Sequence, residues 1–339
     1  MGRRARSGRE WRNWAGDQAC RPAAITAPAN REDLVRAITA AAAAGRRVSV
    51  AGSGHSFTEA ALTDGTLIHL GALSGVLEAD AASGLVKIAG GTVLGVLSEE
   101  LARLGLALEN LGDIDAQTIA GAISTGTHGT GARLRNVSAQ VEAIELVTGD
   151  GEVRELTAAG EPELLRAARV GIGALGAIVS VTVRCVSAFT LHRVDSPQAR
   201  ERVLDEFDQR AAANDHFELF TFPYSDLALV LERNRTDEPP RPRSRAAAFL
   251  NDVVLENWAL EALSFGGRAV PAAIPALSRL AARVASGSAT TDRSDRIFVN
   301  ERRVRFTEME YALPREHLAE AARRVVEWVR ANRYPVFFP

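Results

Sequence analysis

Two glycine-dense segments contain the residues whose types and spacing could do chemistry. The first reads Gly52-Ser-Gly-His-Ser-Phe57, and the second reads Gly121-Ala-Ile-Ser-Thr-Gly-Thr-His-Gly-Thr-Gly131. Glycines let the backbone approach a bulky ligand and turn successive N–H groups into a concavity, which can hold a pyrophosphate without a lysine. Either segment alone could be an ordinary tight turn. Their joint presence, with His55 between a glycine and a serine, favours a phosphate-bearing ligand.

The other histidines and the common catalytic motifs give weaker evidence for a chemical role. His128, inside the second glycine segment, is the rival of His55 for a chemical role, whereas His69 lies in an apolar strand pattern typical of a core residue. No metal-ligand spacing relates the remaining three, His192, His216 and His317. The sequence contains neither a Gly-x-Ser-x-Gly nor a Cys-x-x-Cys string. Hydrolase and zinc chemistry are therefore disfavoured.

A third glycine string, Gly171-Ile-Gly-Ala-Leu-Gly176, satisfies the G-x-G-x-x-G pattern of dinucleotide-binding proteins. That pattern requires a strand before the glycines and a helix after them. Here a helical segment over residues 163–169 precedes the glycines, and a β-branched strand over residues 177–184 follows them. Because the order is reversed, we reject a nicotinamide site.

Length and composition indicate a two-domain globular protein. The chain has 339 residues, and 40 basic against 42 acidic side chains give a net charge of −2, which favours neither nucleic acid nor anionic lipid as a partner. The only two cysteines, Cys20 and Cys185, are too far apart for a disulfide framework. No apolar run approaches the length of a membrane span, and Trp11 and Trp14 interrupt any export signal. We therefore expect a cytoplasmic protein without a transmembrane helix.

Alternating helix and strand patterns place His55 at the end of a strand. Asn30 is predicted to cap a helix that ends at Gly45, and residues 47–51 form a strand that leads into the glycine turn. Residues 66–70 and 85–89 are further strands, and Thr92 is expected to cap a following helix. Residues 140–148 and 152–156 read as a hairpin around Asp150-Gly151. We place a domain boundary after residue 186.

The second half of the chain shows a different pattern of predicted elements. We predict a helix over residues 199–213, a strand over 217–222, an exposed loop over 236–243 and a helical region over 246–285. The alternation in residues 303–312 predicts a half-buried strand. A helix with Leu318, Ala322, Val325 and Val329 on one face follows, and Tyr334 begins another strand.

Five segments, taken in order, resemble the aldonolactone and alditol oxidase branch of the vanillyl-alcohol oxidase flavoprotein superfamily, the branch of L-gulonolactone oxidase. They are Trp11-Arg-Asn-Trp14, Gly52-Ser-Gly-His-Ser-Phe57, Thr118-Ile-Ala-Gly-Ala122 continuing into Ser124-Thr-Gly-Thr-His-Gly-Thr-Gly131, Gly173-Ala-Leu-Gly-Ala-Ile178, and Arg305-Phe-Thr-Glu-Met-Glu-Tyr-Ala-Leu-Pro314. The resemblance implies an α+β protein. Residues 1–186 would form a PCMH-type FAD-binding domain of two subdomains, and residues 187–339 a partial substrate (cap) domain with an antiparallel sheet.

The resemblance also implies site residues. The residues expected to contact FAD are Val50, Ala51, Gly52, Ser53, Gly54, His55, Ser56, Thr118, Ile123, Gly126, Thr130, Gly131, Ala132 and Ile178. His55 would be bonded covalently to the flavin's C8 methyl carbon, and Thr118 could also face the substrate. In the family pattern His128 serves mainly the architecture of its loop. No metal is implied.

The implied activity is oxidation of a CH–OH group of a sugar-1,4-lactone such as L-gulonolactone, with hydride transfer to flavin N5 and electrons passed to O₂ or another acceptor. An alditol such as xylitol is the alternative substrate. The family's Glu-x-Arg strand and His-Trp-x-Lys motif, which act on the substrate, are absent before Pro339. The resemblance therefore implies a C-terminally truncated chain. We expect it to have little or no turnover, and an inactive FAD-binding fragment is a further alternative.

Overall fold

The structure is a computed structural model that describes residues 10–242, 259–300 and 302–336. Within these residues the chain forms two compact units. The first comprises the described residues up to Gly129 together with Arg135–Ala188 and Arg305–Met309. The second comprises Thr130–Leu134 and the described residues of Phe189–Val304 and Glu310–Pro339.

The first unit is built from short strands and four helices of its described residues. In chain order they are β1 (Trp11–Arg12), β2 (Ala19–Cys20), β3 (Ala24–Thr26), α1 (Arg31–Ala43), β4 (Val48–Ala51), β5 (Thr66–His69), β6 (Val76–Asp80), β7 (Leu85–Ala89), α2 (Leu94–Arg103), β8 (Leu106–Ala107), α3 (Ile119–Ser124), β9 (Val141–Val147), β10 (Val153–Thr157), α4 (Pro162–Arg169), β11 (Ala177–Arg184) and β12 (Val186–Ser187).

A small parallel sheet carries the first glycine segment. β3 and β4 pair in parallel with β5 between them, so β4 ends at the same sheet edge as β5. The predicted cap of α1 is confirmed, because the Asn30 side chain accepts the N–H of Asp33 at 2.8 Å. Leu34 and Ile38 of α1 pack with Ile68 in a buried cluster. This packing fixes the position of the parallel sheet and therefore of the turn after β4.

An antiparallel sheet with the order β10-β9-β11-β7-β6 completes the first unit. The predicted hairpin is confirmed, with Val153 opposite Val147 across the Asp150-Gly151 turn. Val147, Ala177 and Val179 of this sheet join the cluster that contains Leu34 of α1. Both sheets therefore share one apolar interior.

The second unit contains β13 (Thr190–Ala199), α5 (Arg200–Asp205), α6 (Phe207–Ala213), β14 (His216–Thr221), β15 (Leu227–Thr236), α7 (Ala259–Ala269), α8 (Ile274–Val284), β16 (Ser288–Arg293), α9 (Ser294–Phe298) and α10 (Leu318–Asn332). Its strands form an antiparallel sheet with the order β14-β15-β13-β16. Val203, Ala211, Phe217 and Val230 form a buried cluster between the sheet and its helices. An antiparallel sheet in the second half of the chain was expected and is confirmed.

Several local predictions are wrong. Residues 302–314 form no strand. Phe306, itself part of the first unit, packs against the ring of Trp14, whereas Met309 and Tyr311 are 80% and 78% exposed. The alternation of residue types in this segment therefore marks no buried face. Thr92 does not cap α2, because its hydroxyl bonds to the carbonyl of Ala89 and accepts the N–H of Gly75 instead. The polar helix after residue 199 is broken at Glu206.

Other predictions fall partly outside the described residues. Tyr334 to Val336 form no strand, and residues 337–339 lie beyond the description. The helical middle is described from Ala259 onward, where Pro271 separates α7 from α8. Residues 237–242 are exposed, as predicted for that loop. Among the described residues, the helices are all too short or too polar to cross a bilayer.

Candidate cofactor site

A cavity of about 510 Å³ in the first unit opens where β4 ends. This volume lies within the range typical of small-molecule and cofactor pockets, and crevices beyond the carboxyl ends of parallel strands are a common place for them. The first glycine segment lines the cavity from Gly52 to Ser56, that is, at every position but its last. It is joined by Gln117 to Thr118 before α3, by residues 120–121 and 124–125 around α3, and by the loop between α4 and β11.

The charge of the lining suits an anion. Arg46 stands on the rim, and among the lining residues in the described part of the chain there is no carboxylate. An anionic group would therefore meet a positive side chain, main-chain groups and hydroxyls such as those of Ser53 and Thr118. Repulsion by a buried negative charge is avoided.

Gly52 is required by a close approach within the cavity wall. A Cβ placed on Gly52 would lie 2.4 Å from Oγ1 of Thr118, well inside van der Waals contact. Thr118 cannot move freely, because its hydroxyl caps α3 by accepting the N–H of Gly121 at 3.2 Å. The first glycine segment and the start of α3 are thus packed directly against each other, which brings the two sequence motifs to one site.

His55 lies among aromatic rings. Its imidazole stacks on the indole of Trp14, with ring centroids 5.0 Å apart and planes 23° apart. Phe306 meets the same indole edge-on at 5.3 Å. The His55 Nδ1 atom is buried and has no hydrogen-bond partner, and burial lowers the pKa of this imidazole. The side chain therefore offers a neutral, unengaged ring nitrogen at physiological pH.

The predicted site residues separate into two groups. Those that line the cavity are Val50, Ala51, Gly52, Ser53, Gly54, His55, Ser56, Thr118 and Ile178. The others are Ile123, Gly126, Thr130, Gly131 and Ala132. Ile123 is fully buried in α3, and Gly126 follows that helix with a φ of +73°. Thr130, Gly131 and Ala132 belong to the second unit. His128 is not among the lining residues.

Sequence reasoning missed much of the cavity wall. The string Gly171–Gly176 was rejected as a nicotinamide site, yet residues 172–176 line this cavity. Ile172 holds a positive φ of 50°, which is uncommon for a β-branched residue and marks the loop as constrained. The glycine density of this string was the available signal. Arg46 carried none, because only the tertiary fold brings it to the cavity, and Trp11 entered only as part of a family motif with no role assigned to it.

His216 of the second unit holds the end of the second glycine segment. Its ring Nδ1 lies 3.1 Å from the carbonyl oxygen of Thr130 and 3.3 Å from the Thr130 hydroxyl. Burial and the positive charge of Arg233 lower the pKa of His216 to about 4. The ring is therefore neutral in the folded protein at pH values where it is charged in the unfolded chain.

This difference predicts acid-dependent stability. Because the pKa of His216 falls from 6.5 to about 4 on folding, the unfolded chain binds the extra proton, and stability is lost as pH drops from 6.5 towards 4, by up to about 3 kcal/mol. We expect the free energy of unfolding of His216→Asn to change less over this window than that of the wild type. Denaturant titrations at both ends of the window measure it. The exposed His317→Asn is the matched control, and equal pH slopes for the wild type and His216→Asn would contradict the prediction.

Comparison with known proteins identifies both halves of the chain. Residues 22–157 match the FAD binding domain family, and residues 181–339 match the D-arabinono-1,4-lactone oxidase family. The L-gulono-1,4-lactone dehydrogenase of Mycobacterium tuberculosis is 44% identical over 329 residues, which cover 97% of this chain and 76% of that protein. The L-gulonolactone oxidase of Bos taurus is 31% identical, again over 97% of this chain and 76% of the relative.

Solved structures agree on the fold. Cholesterol oxidase from Brevibacterium sterolicum superimposes with a TM-score of 0.72 at 15% identity, covering 96% of this chain and 68% of that one. At this identity the likeness concerns the fold alone. It confirms the predicted α+β architecture, with a PCMH-type FAD-binding domain and a second, antiparallel-sheet domain.

The matches to the FAD binding domain family and to lactone oxidoreductases identify the protein as an FAD-binding oxidoreductase, and the cavity gives the place for the cofactor. The residues present fit this cofactor: glycines admit it closely, the lining of the cavity suits its pyrophosphate, and His55 presents a buried Nδ1 without a partner. The chain belongs to the family of L-gulono-1,4-lactone and D-arabinono-1,4-lactone oxidoreductases.

Proposed function

We propose that the protein oxidises a CH–OH group of a sugar-1,4-lactone of the L-gulonolactone or D-arabinonolactone type. The observation that carries the proposal is the pairing of an FAD-type cavity with a chain that is 44% identical to an L-gulono-1,4-lactone dehydrogenase over 97% of its length. When bound, FAD would supply the hydride acceptor, its N5 atom, and the electrons would pass on to O₂ or another acceptor. The protein binds and orients both partners.

We assign FAD binding to the residues that line the cavity. Val50–Ser56 would face the flavin and its ribityl chain, and Thr118 would hold its place against Gly52 while its cap keeps α3 fixed. Ile178 would contribute from the start of β11 near the adenine or pyrophosphate end, and Arg46 would face the negative charge of the pyrophosphate. The roles of Ile123, Gly126, Thr130, Gly131 and Ala132 remain predictions from the family pattern. So does a contact of Thr118 with the substrate.

We further propose that His55 holds the flavin covalently. A ring nitrogen of His55 would be joined to the C8 methyl carbon; one hydrogen leaves the methyl group, one leaves the imidazole, and both, with two electrons, are taken up by the flavin ring. The bond therefore needs no separate oxidant. The support is the neutral ring and its unpartnered Nδ1.

Free cysteines support a reducing compartment, and we propose the cytoplasm. Both Cys20 and Cys185 are unpaired. Burial raises the pKa of Cys185 to about 12, so this thiol resists oxidation.

Anaerobic reduction of the bound flavin tests the substrate. We expect L-gulono-1,4-lactone to bleach the visible flavin absorbance faster than xylitol does, because the family relatives act on lactones. Readmitting air or adding an artificial acceptor then distinguishes O₂ from other acceptors. Faster bleaching by xylitol would indicate that the substrate is an alditol and not a lactone. Retained flavin that neither compound bleaches would contradict oxidation by this chain and support the FAD-binding alternative.

A further inference from the structure

A short hairpin packs against the turn that carries His55. β1 and β2 form it, with Trp11 opposite Cys20. Asn13, only 5% exposed, shapes the loop between them: its side-chain oxygen accepts the N–H groups of Gly16 at 2.8 Å and Gln18 at 3.1 Å, and its amide donates to Asp17 at 2.7 Å. The hairpin loop is therefore well defined.

The same loop is bonded to the chain on both sides of His55. The Asn13 amide also donates to the carbonyl oxygen of Ser56 at 3.0 Å, and the main-chain N–H of Trp14 donates to the carbonyl oxygen of Gly54 at 2.7 Å. These carbonyls belong to the residues before and after the histidine. Two hydrogen bonds thus fix the backbone at position 55.

Stacking fixes the side chain. A hydrogen bond from a neighbouring residue usually orients a functional histidine, but His55 Nδ1 has no such partner in the described part of the chain. The face of the imidazole lies instead against the indole of Trp14. Phe306 supports the indole edge-on and is itself 5.7 Å from the ring of Phe57. The imidazole is thus held through its face and not through a hydrogen bond, so its Nδ1 atom has no partner.

We infer that Asn13 and Trp14 are positioning residues for covalent flavin attachment: the amide fixes the backbone of His55 and the indole fixes its ring, without occupying the Nδ1 atom. The inference rests on the proposed attachment through His55. Neither residue touches the reacting atoms. Their effect is to hold one ring orientation, and loss of orientation is a large effect in bond formation, on the order of a hundredfold for a displacement of about 1 Å.

The indole also shields the imidazole from water. Attack requires the neutral ring, and burial lowers the pKa of His55. Three charged groups on the packed elements have other neighbours: Asp17 accepts from Asn13, Arg12 bonds to Glu10, and an Arg305 guanidinium nitrogen lies near Gly16. Removing the indole would admit water and raise the pKa of His55, so attachment would require a higher pH.

The experiment follows covalent incorporation of added FAD into purified protein as a function of time and pH, read as flavin fluorescence that persists in a denaturing gel. For Trp14→Leu and Asn13→Ala we expect the rate to fall by about tenfold to a hundredfold. The pH midpoint of Trp14→Leu should move upward, and Trp14→Phe, which keeps an aromatic face, should recover part of the rate. Trp328→Leu, which removes an indole that is 58% exposed, is the matched control and should behave as wild type.

A second readout needs no flavin. In FAD-free protein, the His55 ring-proton resonances should carry a ring-current shift and a low pKa by NMR, and both should relax towards ordinary values in Trp14→Leu and less in Trp14→Phe. Wild-type rates and an unchanged His55 pKa in both Trp14 variants would overturn the inference. If Trp14→Leu does not fold, the folded Trp14→Phe decides by the same measurements. Covalent flavin that persists in His55→Ala would instead overturn the attachment itself, and the inference with it.

Discussion

His55→Ala is expected to abolish covalent flavin while leaving FAD able to bind. The variant removes the imidazole that lines the cavity, so the proposed bond to the C8 methyl carbon cannot form. The glycines that admit the cofactor remain, and the turn around residue 55 is half-buried or exposed, so it can accept an alanine. The measurement is the flavin that stays with the polypeptide after denaturation, by gel fluorescence and by mass. We expect a complete loss of that signal.

His128→Ala is the matched control. This histidine lies in the second glycine segment, is not a lining residue, and its Nδ1 lies 2.8 Å from the carbonyl oxygen of Gly129. Its removal should leave covalent flavin at the wild-type level. The opposite pattern, with the bond retained in His55→Ala and lost in His128→Ala, would assign the attachment to the second segment.

Gly176→Ala is expected to lower both the stability of the protein and its affinity for FAD. Gly176 has a φ of +146°, and an added Cβ would lie 2.4 Å from the carbonyl oxygen of Val147. That oxygen belongs to the last residue of β9, a strand paired on both sides, so it cannot move without disturbing the pairing with β11. Strain and overpacking together should lower the free energy of unfolding by about 3–5 kcal/mol. Denaturant unfolding and FAD titration measure the two losses.

Gly173→Ala separates the two causes. Gly173 lies in the same cavity-lining loop with a φ of +77°, but an added Cβ would have no atom within 4 Å. Backbone strain alone should therefore lower stability by about 1–2 kcal/mol. Equal losses in the two variants would show that the contact with Val147 has no energetic consequence.

Local sequence signals predicted the part of the site that local structure builds. β4 and its glycine turn follow from the strand-forming residues Val48-Ser-Val-Ala51 that end at Gly52, and the β9–β10 hairpin follows from Asp150-Gly151. In both cases the deciding interactions lie within a few residues. The placement of His55 at a strand end could therefore be read without the fold.

The second unit was harder to predict because its strands do not show a clear alternation of apolar and polar residues. β13 carries Arg193, Asp195 and Pro197, residues that are unusual in a central strand. Arg193 and Asp195 are partly buried and pair with each other at 2.8 Å, so the fold tolerates polar residues where alternation would require apolar ones. β15 and β16 complete this sheet, and their pairing depends on contacts distant in sequence.

The contact between Trp14 and Phe306 has a consequence for biosynthesis. The indole that stacks on His55 is supported by a residue close to the other end of the described chain. A ribosome delivers Trp14 and His55 long before Phe306, and contacts distant in sequence form late because the intervening chain must first be ordered. The aromatic environment of His55 is therefore complete only after most of the second unit has been synthesised. Flavin attachment through a fully positioned His55 would then follow translation of Phe306, late in synthesis of the chain.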